Sequence, residues 1–436
     1  MEKAKVCKHN MKLYPFFRML SYDFLFFYTI DFLFLTQIKG ISPAKIILVD
    51  SFYAIFGIIW QLPASVLVEK TSRKFSTILG NLLNCIYILL IILSKNFYHL
   101  LIAECVCSFG FALKDTATPA LLNESIPETT KRGKIFAKLN GKAISGYYVL
   151  NAISLVISGF LFSVNGYLPI SICFAITILC FLISLTFIEP IKNKDLKVID
   201  NNKENTSLET EKKELSLREA FKYIRKSGRL KSLILFGSLM SSFIAILAST
   251  QVYLVEELEI SSGIIGIIFA FLGIVSAVAA KKQDKFQEKF KNKSLTILSL
   301  AISISIMAST IGYFLGLPVP VTLAIVIICF AIKSAVNGIY QVLILKYLSN
   351  FANEEVDSKI YAIELLAVSI VNAILGTITS FIFDNLSSYL ATFILGTSFL
   401  VLFALTILYM KNRLGLKPEE YSKEETKYAK EAEKVA

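Results

Sequence analysis

The chain has 436 residues, of which 55% are hydrophobic and only 18% charged, with a mean hydropathy of +0.63. Soluble domains carry about 25% charged residues, so this composition excludes an ordinary soluble protein. Two histidines, His9 and His99, exclude a His-based metal site, and 20 glycines in this length exclude a collagen-like chain.

A membrane-spanning helix needs about 20 apolar residues. Twelve runs qualify, near 14–37, 45–66, 76–94, 99–122, 143–164, 168–189, 232–255, 262–280, 294–316, 319–343, 360–383 and 388–410. The first follows a basic start (Lys3, Lys5, Lys8, Lys12). It is too long for a signal-peptide core and precedes no small-x-small cleavage site, so a retained anchor is expected. The seven cysteines lie mostly in apolar runs, without a C-x-x-C pair. They read as small apolar core residues, with no disulfide framework.

The gaps between the runs hold the charge. Taken alternately, one set of gaps collects 39 of the 45 Lys and Arg, and the other only Lys39, Lys45 and Lys95. Arg18, Lys114 and Lys333 lie inside spans. This asymmetry is a positive-inside signal that puts both termini in the cytoplasm and makes the span number even. The net charge of +12 then belongs to loops near anionic headgroups, and nucleic acid is not needed as a partner.

The longest gap, 190–231, is polar and densely charged, which predicts a solvated segment. Its end differs. Ser216 and Glu219 form a capping-box pattern, and Leu217, Ala220, Phe221 and Ile224 recur at helical spacing. An amphipathic helix tethered along the membrane surface is expected there. The expected fold is an all-α integral membrane protein with 12 transmembrane helices in two six-helix bundles and both termini cytoplasmic. Residues 1–189 form the first bundle, 190–231 the interdomain loop, 232–410 the second bundle and 411–436 a charged cytoplasmic tail.

The halves repeat each other. Phe111-Ala112-Leu113-Lys114 in span four matches Phe330-Ala331-Ile332-Lys333 in span ten. Thr36-Gln37 matches Thr250-Gln251, and Ile41-Ser42 matches Ile260-Ser261. Parallel six-span repeats imply two bundles about an axis along the membrane normal, with a central site.

The loop after span two reads Ser65-Val66-Leu67-Val68-Glu69-Lys70-Thr71-Ser72-Arg73-Lys74. It resembles the G-x-L-a-D-r-x-G-r-k motif of the major facilitator superfamily, with Ser at both glycines and Glu69 at the Asp. The segment from Asn123 and Glu124 through Pro127 to Lys131, Arg132 and Gly133, and the Ile188-Glu189-Pro190 end of span six, resemble the same family. The resemblance covers about 14–410. It implies a cytoplasmic gate motif at Glu69, Arg73, Lys74 and Arg132, in which an acid at a helix end pairs with a loop arginine. It also implies that spans one, four, seven and ten line the cavity. The proline-rich antiporter signature of span five is replaced by the stretch Gly141 to Gly146. Glu104 stands where drug–proton antiporters carry an arginine.

An ionisable group in hydrocarbon costs roughly 2.5–3.5 kcal/mol on insertion scales, so it should face a bundle interior or a wet cavity. Asp23 and Asp31 in span one would share one broad face of a continuous helix. With Glu104, Lys114, Asp115 and Lys333 they form the candidate proton-coupling or substrate-cavity set; structural ion pairing of Asp31 or Asp115 with a lysine is the competing reading. Asp50 and Glu364 lie nearer span ends. Arg18 should snorkel to the cytoplasmic interface. Asn151, Gln251 and Asn337 would serve as cavity groups or interhelical hydrogen bonds.

No Walker A, G-x-S-x-G, H-E-x-x-H or dinucleotide fingerprint is present. The expectation is therefore not an enzyme. It is a secondary active transporter that moves a small organic solute by alternating access, with no cofactor, no metal, and the proton gradient as energy source. Efflux by antiport leads, and uptake by symport is the runner-up. A membrane-embedded lipid-handling protein and a transporter-derived receptor are the other readings. The expected partners are the bilayer and a small-molecule substrate, for a monomer in a bacterial cytoplasmic membrane.

Overall fold

The computed structural model describes residues 2–27, 30–126, 132–190, 217–247, 254, 257–290, 293–351 and 357–410. Every regular element among them is helical. The capping box at Ser216 and most of the 190–231 loop lie outside the described residues, as do Gln251 and the 411–436 tail.

The first helices in chain order are α1 (Glu2–Ser21), the short α2 (Asp31–Leu33) running into a π-turn (Phe34–Ile38), and α3 (Pro43–Lys70). Next come α4 (Arg73–Leu93), α5 (Phe97–Ser125), α6 (Arg132–Val164) and α7 (Leu168–Leu185). The second half holds α8 (Leu217–Lys226), α9 (Gly228–Ile246), α10 (Ser262–Lys281), α11 (Gln283–Phe290) and α12 (Ser294–Ser309). It closes with α13 (Ile311–Phe314), α14 (Val319–Phe351), α15 (Asp357–Asn385) and α16 (Ser388–Tyr409). Ten helices among the described residues are long and apolar enough to cross a membrane, and Leu230–Ile246 is a shorter apolar one.

The first expected span, 14–37, is not one helix. It stops at Ser21, and Phe26 takes a left-handed φ of 67°. Polar caps set several helix starts. The Ser72 hydroxyl accepts the Phe75 N–H at 2.9 Å, and the Asn96 side chain accepts the His99 N–H at 3.1 Å. The outward faces carry large exposed apolar side chains such as Phe381, Leu408 and Tyr409, the surface expected where lipid is the solvent.

The chain divides into two compact units. One holds residues 1–41, 52–210 and 262–267, and the other 42–51, 211–261 and 268–436. The first unit is held by α4 against α5. A Cβ at Gly80 would lie 2.8 Å from Gly110 O and 2.9 Å from Lys114 N, so only glycine permits this approach. The second unit is built on stacked aromatics, with the Phe243 and Phe399 rings 3.8 Å apart.

Candidate functional site

In the first unit, the site forms where α1 stops. A helix end leaves its last carbonyls without intrahelical partners, and in an apolar surround each must find another donor. The Lys114 ammonium supplies one, donating to Ser21 O at 2.6 Å. Lys114 is 1% exposed, and its Nζ lies 3.8 Å from the centroid of the Phe111 ring, one turn earlier on α5. A cation at a helix C-terminus also complements the helix dipole. Gly80 lets α4 press on the backbone of Lys114 and so fixes where this side chain starts.

Arg18 does not snorkel to an interface as expected. It is buried, its Nη1 donates to Asp115 Oδ1 at 2.9 Å, and its guanidinium lies 4.8 Å over the Tyr22 ring. Asp115 sits beside Lys114 in sequence, so α5 offers a cation and an anion to the last turn of α1. The pairing expected for Asp115 is present, with Arg18 rather than a lysine as its partner.

The break between Ser21 and Asp31 overturns the shared helical face assigned to Asp23 and Asp31. Asp23 accepts the Phe24 N–H at 3.0 Å and lies within electrostatic reach of Lys114 and the Tyr147 hydroxyl. Asp31 opens α2 and accepts the Phe32 N–H at 2.6 Å. Asp23 joins the Lys114–Arg18–Asp115 group, and Asp31 lies across the break, at the start of α2. Aromatic rings enclose the break. Phe24 meets Tyr87 at 5.1 Å and Phe111 at 5.2 Å, and Tyr22 meets Tyr147 at 4.6 Å. Glu104 accepts the Tyr87 hydroxyl proton at 3.0 Å, which ties it to the same wall. The buried Ser21 hydroxyl has no hydrogen-bond partner among the described residues.

The second unit repeats the central contact. Lys333 Nζ donates to Leu247 O at 2.8 Å, at the C-terminal end of α9, and lies 5.4 Å from the Phe330 ring. The Phe-Ala-x-Lys motif thus has one structural meaning in both units. The phenylalanine faces its lysine across one helical turn, and the lysine caps the end of another helix. Nearby on α14, the Tyr340 hydroxyl is 2.9 Å from both Gly237 O and Ser241 Oγ, and Glu364 is buried against Gly237. Asp50 stands exposed on α3.

The gate motif is assembled differently from expectation. Glu69 is exposed. Arg73 Nε instead donates to Glu124 Oε1 at 3.0 Å, and its Nη1 donates to Val68 O at 2.8 Å. The Glu189 carboxylate accepts the backbone N–H groups of Arg73 and Lys74 at 2.9 and 2.8 Å, so it sits on the N-terminus of α4. An acid that follows span six reaches this helix end through folding. Glu69, at the end of α3, is exposed, and among the described residues Arg73 pairs with Glu124 rather than with it. Buried Asn10 bonds Ser125 Oγ at 2.8 Å and both Ile188 backbone groups, which fastens α1 to the same end of the unit. The side chain of Arg132 lies outside the described residues.

Among the described residues no group of three or more His, Cys, Asp or Glu could hold a metal ion. The six cysteines whose side chains are described, Cys85, Cys105, Cys107, Cys173, Cys180 and Cys329, are free thiols.

The sequence matches the Major Facilitator Superfamily profile over residues 16–315. The chain belongs to the Major Facilitator Superfamily. A search of curated proteins finds no match. Solved structures share the fold at low identity. A bacterial homologue of the human lysosomal transporter Spinster, inward-facing and unoccupied, has a TM-score of 0.72 at 16% identity, covering 94% of this chain and 98% of that one. The nucleoside transporter NupG has a TM-score of 0.68 at 12% identity, covering 93% and 99%. A D-xylose–proton symporter has 0.63 at 12%, covering 94% and 97%. This major facilitator is a multi-pass membrane protein of a transporter family, and its family and neighbours are transporters rather than enzymes.

Proposed function

We propose that this chain carries a small organic solute across a bacterial cytoplasmic membrane by alternating access, driven by the proton gradient as an efflux antiporter. In this reading it has twelve spans, with the broken α1–α2 segment as the first and the 232–255 run as the seventh, and both termini are cytoplasmic. Asp23 is the proton-coupling acid. Arg18 and Asp115 hold the end of α1, and Lys114 and Lys333 set the ends of α1 and α9. Arg73, Glu124 and Glu189 form the gate cluster.

The reading rests on one observation: ionisable side chains on α5, a helix long and apolar enough to cross a membrane, meet the end of the broken α1. Burying Lys114 costs several kcal/mol on insertion scales, and non-helical backbone within a bilayer is tolerated only when buried in protein or facing a wet cavity. Phe26, held at φ 67°, adds strain on the order of 1–3 kcal/mol, which surrounding packing must hold in place. Strain and buried charge concentrated at one place are expected where the fold serves function rather than stability.

Purified protein in proteoliposomes, with substrates first found by ligand-induced thermal stabilisation, tests it. Solute flux opposite to an imposed proton flow supports antiport. Flux in the same direction as the protons replaces it with uptake by symport, and solute binding with no flux under either gradient refutes transport.

A further inference from the structure

In the second unit, α10 and α14 leave an apolar cavity of about 570 Å3 between them, with α11 across one end. It is an open trough rather than an enclosed pocket. Ile274 and Val278 of α10 and Ile339 of α14 form its walls. Phe286 and Phe290, with ring centroids 4.7 Å apart, form the end contributed by α11.

The same end carries charge of a single sign. Lys282, just before α11, and Lys285 and Lys289 within it all line the cavity. Their spacing of three and four residues places them on one helical face. The acids of α11, Asp284 and Glu288, are exposed and absent from the lining. The buried Gln283 and Gln287 set this rotation, with Gln287 Nε2 donating to Tyr347 OH of α14 at 3.4 Å. The helix buries its glutamine face, and its lysines are turned to the cavity mouth.

An apolar trough ending in three ammonium groups, with no acid in its lining, is complementary to an amphiphile with one negative head. We propose that this cavity binds an anionic phospholipid from the surrounding membrane. An acyl chain lies along Ile274, Val278 and Ile339, and the phosphate sits on Lys282, Lys285 and Lys289. The basic loops of the chain face the leaflet where anionic lipids concentrate, which supplies the ligand. The proposal rests on the membrane embedding of the fold and is independent of solute flux, so transport and lipid binding can fail separately.

Native mass spectrometry of the purified full chain, incubated with phosphatidylglycerol, phosphatidylcholine or inorganic phosphate, tests it. Phosphatidylglycerol should be retained at least about tenfold better than phosphatidylcholine, and inorganic phosphate should not displace it. The triple variant K282Q/K285Q/K289Q should lose that preference, and Val278→Trp, which fills the trough, should lose the adduct with all three lysines present. D284N/E288Q should retain it. Melting curves in detergent establish that each variant is folded, and the lysines and Val278 are exposed enough to change without opening the core. Equal retention of the two lipids, displacement by inorganic phosphate, or an unchanged phosphatidylglycerol adduct in the triple variant or Val278→Trp overturns the proposal.

Discussion

The Lys114 ammonium lies 2.6 Å from Ser21 O and closes the C-terminus of α1. Lys333 makes the equivalent contact with Leu247 O at 2.8 Å at the end of α9. In each unit a lysine preceded three residues earlier by phenylalanine serves a helix that stops. In the proposed mechanism the lysines position these helix ends, and their effect on transport should exceed their effect on folding. In Lys114→Met the Ser21 carbonyl loses its donor, at a cost of about 1–3 kcal/mol, while an expensive buried ammonium disappears. These terms oppose each other. We expect a small change in melting temperature but a loss of flux of about tenfold or more, the equivalent of roughly 1.4 kcal/mol. Melting curves beside flux measurements decide. Equal, minor effects on both would make the contact ornamental.

The Arg18–Asp115 pair is unevenly buried, with side chains 8% and 48% exposed. Removing the exposed partner strands a buried cation, whereas removing Arg18 leaves a half-exposed carboxylate. Asp115→Ala should therefore destabilise more than Arg18→Gln. The coupling should be about 1–2 kcal/mol, between exposed and buried pairs. A double-mutant cycle by denaturation in detergent measures both. A larger loss in Arg18→Gln would contradict this assignment of burial.

At the gate cluster, Glu189 satisfies two N-terminal amides of α4 and Arg73 holds Glu124. Glu189→Gln should cost about 0.5–1 kcal/mol through the helix terminus. Arg73→Ala should lower transport more than expression. Glu69→Gln should behave as wild type, because Glu69 is exposed. Transport assays on expression-matched samples separate the three. A Glu69→Gln defect as large as that of Arg73→Ala would restore the pairing read from the motif.

Much of the architecture was legible in the chain. Runs of about 20 apolar residues mark helices because the bilayer leaves backbone groups no partner outside the helix, and ten of the twelve expected runs return as helices of spanning length. The break after Ser21 was not legible. Gly and Pro punctuate most breaks, and neither occurs between Ser21 and Asp31. The contacts at the stop are tertiary, from Lys114 to Ser21 O and from the rings of Tyr87, Phe111 and Tyr147 to Tyr22 and Phe24. For the same reason the shared face of Asp23 and Asp31 failed, since helical spacing carries no meaning across a break. The partners of Arg18 and Arg73 were hidden by distance along the chain: Asp115 lies 97 residues from Arg18, and Glu124 and Glu189 lie 51 and 116 residues from Arg73. The repeated Phe-Ala-x-Lys motif was the one local signal that led to the site.

The proposed orientation rests on the distribution of lysine and arginine and is testable without a substrate. Asn165 lies exposed between α6 and α7, on the side poor in basic residues. In a cysteine-depleted background, Asn165→Cys should react with an impermeant thiol reagent applied to intact cells. Lys203→Cys, in the basic 190–231 segment, should be protected until the cells are opened. The opposite pattern would invert the topology.

The central claim is that Asp23, at the broken end of α1, carries the coupling proton. The most direct measurement compares pH-gradient-driven flux with substrate counterflow in proteoliposomes containing Asp23→Asn. The account predicts that counterflow persists while gradient-driven flux is lost, because the amide keeps the shape and hydrogen bonding of the site but cannot exchange a proton. Asp31→Asn, outside the Lys114 group, should retain both. Wild-type gradient-driven flux in Asp23→Asn would contradict the account and leave Asp23 a structural residue.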